Sequence, residues 1–130
     1  LPVLIAVHVL PDQFLQSLVA VAAVMGHIKS PFLGFKGGKG VATTIGALIP
    51  LAFLPLLCAV ACFFAVFFLT RYVSLSSMTM SVALAVFYAV FGHWQLLPLG
   101  VFLSVMIIWA HRSNIGRLMR GEESRFVLKK

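Results

Sequence analysis

The run Phe35-Lys36-Gly37-Gly38-Lys39-Gly40-Val41-Ala42-Thr43-Thr44 is the densest chemical signal in the chain. Its three glycines let the backbone adopt φ > 0 and turn several N–H groups toward one point. Lys36 and Lys39 add two positive charges. A helix starting here would aim its dipole and free N–H groups the same way. Lys36, Gly37, Gly38, Lys39 and Gly40 together form a candidate phosphate cradle. It is not a Walker A loop, because Gly40 follows Lys39 where Ser or Thr is required and Leu33 stands where that pattern needs Gly. Nor is it GxGxxG, since Thr43 occupies the last glycine position. The plainer reading is a flexible turn carrying lysines at a membrane face.

A second signal is His111-Arg112-Ser113-Asn114-Ile115-Gly116-Arg117-Leu118-Met119-Arg120-Gly121-Glu122-Glu123. His111 and Asn114 are three apart and share a face if the helix continues. Histidine titrates near neutrality and can act as a general base. Asn114 could orient a hydroxyl or donate to an oxyanion. The alternative is an interfacial anchor with a basic cap. In Arg71-Tyr72-Val73-Ser74-Leu75-Ser76-Ser77, Arg71 could hold a phosphate bidentately. Ser74 could bind the same group, although capping the next helix is the simpler role. His27, after Gly26, reads more readily as a helix-end or interface residue than as a catalyst.

Several chemistries are excluded. The chain has no GxSxG elbow, no His with an Asp five positions later and no HExxH zinc motif. Its acids are Asp12, Glu122 and Glu123 alone, too few for a carboxylate metal site or an acid-pair glycosidase. Cys58 and Cys62, one turn apart in an apolar segment, read as packing residues.

The elements that must position these residues follow from composition. Hydrophobic residues make up 62% of 130 positions and charged residues 10%. That is too apolar and too weakly charged for a soluble domain or a disordered chain. The expectation is an all-α, polytopic transmembrane helix bundle of about five to six helices. The net charge of +7 lies between apolar spans, which favours an anionic substrate and a cytoplasmic membrane face over nucleic acid. Residues 72–110 are uncharged apart from His93 and hold two spans broken near Gly92-His93-Trp94-Gln95. Residues 41–70 could form one long helix or a hairpin turning at 50–55. The hairpin puts all ten Lys and Arg on one side, with Asp12 and His93 opposite. It requires a short, re-entrant-like first arm. The expected helices are then 1–9, 13–25, 38–49, 53–70, 74–91 and 97–110, with a short cytoplasmic helix near 114–120. The chain reads as one integral membrane domain. Its start inside an apolar run suggests a fragment.

The quoted stretches also resemble a known family. Gly26-His27 and Pro31-Phe32-Leu33-Gly34-Phe35-Lys36-Gly37-Gly38-Lys39-Gly40 are similar to the second signature of the bacterial acyl-phosphate:glycerol-3-phosphate acyltransferases. The stretch from His111 to Glu123 resembles their third, and Arg71–Ser77 a further shared stretch. Lys29-Ser30 depart from the pattern just before Pro31. The resemblance implies transfer of a fatty acyl group from acyl phosphate to the sn-1 hydroxyl of glycerol 3-phosphate, yielding lysophosphatidic acid and phosphate at the inner face of the cell inner membrane. It implies His111 and Asn114 as catalytic residues. Substrate contacts would come from His27, Lys36, Gly37, Gly38, Lys39, Gly40, Arg71, Ser74, Arg112 and Glu123, with Arg71 and Arg112 on the donor phosphate. Neither metal nor cofactor is called for, because an acyl phosphate already carries a good leaving group. A first signature and about two spans would precede Leu1. The rival reading is a small anion transporter or a non-catalytic membrane subunit.

Overall fold

The computed structural model describes residues 1–30, 32, 34 and 37–127. Among them lie seven helices: α1 Pro2–Val9, α2 Gln13–Ile28, α3 Val41–Leu48, α4 Phe53–Thr70, α5 Val73–Val90, α6 Leu97–Ala110 and α7 Arg112–Met119. The all-α expectation holds, with the hairpin reading of 41–70. Lys36, Lys129 and Lys130 lie outside the described residues.

Local chemistry sets most boundaries. Pro2 opens α1, where its missing N–H costs nothing. Asp12 caps α2 by accepting from the Phe14 N–H at 3.1 Å. α2 was expected to stop at Met25, yet it continues through Gly26 and His27 to Ile28. The cost of a helical glycine, about 1 kcal/mol, is offset by burying Val24 and Ile28. α3 starts at Val41 rather than Gly38, because Gly40 takes a left-handed conformation at φ 78° and caps it. Its eight residues reach only about 12 Å, well short of a span. The turn after it is tighter than expected: Leu51 and Ala52 both donate to the Leu48 carbonyl, and Pro55 lies inside α4.

α4 and α5 have 18 residues each, long and apolar enough to cross a membrane. Phe64, Phe68, Val82, Val86 and Val105 are left exposed around the bundle, as lipid-facing side chains would be. α5 packs between α4 and α6. At the α5–α6 crossing, Gly100 lies so close to Tyr88 that a Cβ would fall 2.8 Å from its ring. Ser104 Oγ there donates to the Ser81 carbonyl at 2.5 Å, the close approach that small residues permit between apolar helices. The chain reverses at each turn, so residues 37–40, 71–72 and 111–127 gather at one end. Asp12 and His93 lie at the other.

Candidate active site

Three segments remote in sequence meet at the gathered end. Lys39 Nζ donates to Asn114 Oδ1 at 2.5 Å. Asn114 Nδ2 donates to Glu123 Oε1 at 2.5 Å. The same carboxylate accepts from Ser74 Oγ at 2.7 Å and, through Oε2, from Arg117 Nε at 2.7 Å. An ammonium can only donate and a carboxylate can only accept, so the Asn114 amide has one possible orientation between them. Asn114 is 4% exposed and the Glu123 side chain 7%. A carboxylate that buried needs its donors. The hydrogen bonds from Ser74, then Asn114, then Arg117 hold the Glu123 carboxyl far below its usual range, at about 2.

His111 is the single residue between α6 and α7 and is 2% exposed. Its Nδ1 lies 2.8 Å from the Ile107 carbonyl. A carbonyl only accepts, so Nδ1 carries the proton and Nε2 keeps a lone pair. Burial lowers the His111 pKa, outweighing the support of that carbonyl. The ring is therefore neutral at physiological pH. α7 begins at Arg112, two residues earlier than expected, and the Ile115 N–H donates to the His111 carbonyl across the junction at 2.9 Å.

These groups rim a cavity of about 430 Å³. Lys39, Ser74, His111, Asn114 and Glu123 form its polar mouth, and Ile45, Val60, Phe63, Phe64 and Met80 its apolar body. A second cavity of about 260 Å³ adjoins it across Lys39, lined by Lys29, Gly37, Gly38, Trp109 and Arg112. Arg112 lies 4.3 Å and Lys29 5.8 Å from the centre of the Trp109 ring, so the indole holds two cations in place. No acid lines this second cavity. The arrangement offers an ammonium and an imidazole beside an apolar slot, with a separate basic recess next door.

The glycines fit tightly. A Cβ on Gly37 would strike the backbone carbonyls of His27 and Ile28, the latter at 2.6 Å, and one on Gly38 would fall 2.5 Å from His27 Nε2. His27 is thus a packing partner of the loop, exposed and outside both cavities. Gly40 serves as the α3 cap.

One sequence-based role changes. Ser74 does not cap α5, whose first turn has no side-chain cap; its hydroxyl is committed to Glu123. Arg71 lines neither cavity and is exposed. Sequence reasoning also passed over Arg117, Lys29 and Trp109. With three acids in the chain, a search for the cation that satisfies Glu123 would have pointed to Arg117.

The glycerol-3-phosphate acyltransferase family model matches residues 1–121. A glycerol-3-phosphate acyltransferase of Nitratidesulfovibrio vulgaris is 48% identical over 124 residues, covering 95% of this chain and 38% of the relative. One from Maridesulfovibrio salexigens is 42% identical over 129 residues, covering 99% and 66%. Two crystal structures of PlsY, an integral membrane glycerol 3-phosphate acyltransferase, superpose on the chain. The glycerol 3-phosphate form gives a TM-score of 0.93 at 36% identity, covering 98% of this chain and 64% of that one. The lysophosphatidic acid form gives 0.92 at 37%, covering 97% and 65%. The chain spans less than two thirds of the length of these relatives. By the match over 121 of its residues and the shared helical fold, this chain belongs to the glycerol-3-phosphate acyltransferase family.

Proposed function

We propose that this protein transfers a fatty acyl group from acyl phosphate to the sn-1 hydroxyl of glycerol 3-phosphate, releasing lysophosphatidic acid and inorganic phosphate. The observation that carries this reading is one cavity joining a cationic, hydrogen-bonding mouth to an apolar body of about 430 Å³ in all. A fatty chain suits the apolar body and an anionic headgroup the mouth, where Lys39 supplies charge and Asn114 and Ser74 supply direction. The basic recess beside Gly37 and Gly38 suits the phosphate of glycerol 3-phosphate. Lys39, common to both cavities, stands where two anions would meet. The names of the family and of the two PlsY forms support glycerol 3-phosphate as acceptor and lysophosphatidic acid as product.

In the reaction, the hydroxyl oxygen attacks the acyl carbonyl carbon, the carbon–oxygen bond to phosphate breaks, and phosphate departs with the electron pair. The hydroxyl proton goes to His111 Nε2 or to a phosphate oxygen. A neutral, buried imidazole with its other nitrogen fixed is suited to the first role. The clustering of cations at one end supports an active site at the cytoplasmic face of the cell inner membrane.

The test is phosphate release from acyl phosphate on addition of glycerol 3-phosphate, using the gene product as made in its host. Turnover that falls about a hundredfold or more in His111→Ala, with glycerol 3-phosphate binding retained, is the expected result. Full activity of that variant removes His111 from the mechanism. Binding without turnover in the unaltered protein would favour an anion carrier or a non-catalytic subunit.

A further inference from the structure

The segment after α7 is tied down at four points. Gly121, in the left-handed region at φ 70°, reverses the chain, and the Glu122 N–H closes on the Arg117 carbonyl at 2.8 Å. Glu123 and Ser124 then line the main cavity. Arg125 Nε donates to the Tyr72 hydroxyl at 3.2 Å, with its guanidinium 5.3 Å from the centre of that ring. The Phe126 N–H donates to the Arg71 carbonyl at 2.8 Å.

Two features of the α4–α5 corner match this segment. Arg71 is the single non-glycine among the described residues with a positive φ, at 62°, a conformation costly for any residue with a Cβ. Its carbonyl is the one that receives Phe126. The Phe126 ring meets Phe67 at 5.5 Å, Phe67 stacks on Phe63 at 6.0 Å, and Phe63 walls the cavity. A row of rings thus runs from the tail to the cavity wall.

We propose that residues 122–127 form a latch across the α4–α5 corner, and that Phe126 is a positioning residue that sets Glu123, and through it Asn114 and Lys39, in the site. Arg71 then contributes its backbone carbonyl rather than its guanidinium. The kinetic part of this inference rests on the proposed acyltransferase reaction; the docking part does not.

Docking is tested by trypsin nicking after Arg125 in the membrane-embedded protein. Phe126→Ala should speed nicking about tenfold, because the opened segment becomes the substrate. Phe126→Leu, which keeps an apolar seat, should restore protection. Equal rates in all three proteins would overturn the latch. In the kinetic arm, Phe126→Ala should raise KM for glycerol 3-phosphate about tenfold while kcat changes less than about threefold. In a Glu123→Gln background the same substitution should add less than about twofold, since both act through one carboxylate. Additive losses, or fast nicking with an unchanged KM, would overturn the positioning role. A protected tail on a protein without turnover would leave the latch standing and sink the proposed reaction.

Discussion

The two ends of the bundle solve the same problem differently. At the far end, each turn satisfies itself from nearby. Asp12 caps α2, Gln16 reaches back to the Leu10 carbonyl, and the His93 N–H bonds to Tyr88. None of these links spans more than six residues. At the site end, the side-chain bonds join Lys39 to Asn114 and Ser74 to Glu123, 75 and 49 positions apart. The far end needs only to turn the chain round. The site end gathers seven lysines and arginines among the described residues against two acids, Glu122 and Glu123, an arrangement that folding alone does not require and that anion binding does.

If that contrast is right, substitutions at the two ends should fail in different ways. The largest effect is expected from Gly37→Ala, whose methyl meets backbone carbonyls that cannot rotate aside. Turnover should fall about a hundredfold, the usual scale for an ångström of misplacement at an active site. Gly38→Ala presses on the tip of the His27 ring, which can move, so a several-fold rise in KM for glycerol 3-phosphate is expected. Steady-state kinetics on the pair checks the order; a milder Gly37→Ala would break it.

Next comes the acid behaviour of the buried carboxylate. Glu123 sits near 2 when folded and near the ordinary 4.3 when unfolded. In that window the unfolded chain binds more protons, so stability rises with pH. This contribution is complete above the unfolded value and is lost as pH falls through the folded one. Melting temperature against pH should therefore drop between about pH 4.5 and pH 2 in the native protein. Glu123→Gln should lack that drop. His111 has the opposite concern, since burial lowers its pKa. Its imidazole should take up a proton only below the usual histidine value near 6.5, so the acid limb of kcat/KM should be centred below that pH. A loss of activity centred there would place the ring in water.

The far end should yield smaller changes. Asp12→Ala removes the α2 cap and should cost about 1 kcal/mol in unfolding free energy, with kinetics unchanged. The smallest effect sharpens the comparison within the site end itself. Arg71→Gly keeps the left-handed corner without the Cβ penalty, so KM for acyl phosphate should stay within about twofold. A large increase would return the guanidinium to a phosphate.

Much of this was legible in the chain. Long uncharged runs, prolines and the lopsided placement of lysine and arginine gave the helices and the hairpin of 41–70. Glycine and lysine types marked the loop, and His111 and Asn114 marked the junction. Boundaries that depend on packing were not legible: α2 runs past Gly26 because Ile28 has a buried seat, which no local pattern reports. The role of Ser74 was not legible for the same reason. A hydroxyl at a helix start looks like a cap until a carboxylate 49 positions away takes it. Nor does any local pattern report that the Arg71 carbonyl receives the tail.

The sequence by itself determined which segments are apolar enough to cross a membrane, which face carries the cations and which residues could meet an anion, because hydropathy, charge and backbone freedom are properties of residues taken singly or in short runs. Tertiary structure alone decided that Asn114 bridges Lys39 and Glu123, that one cavity joins their charges to an apolar slot, and that the tail returns to the α4–α5 corner. Those outcomes depend on which donors and acceptors packing brings within hydrogen-bond distance, and that distance is not encoded locally.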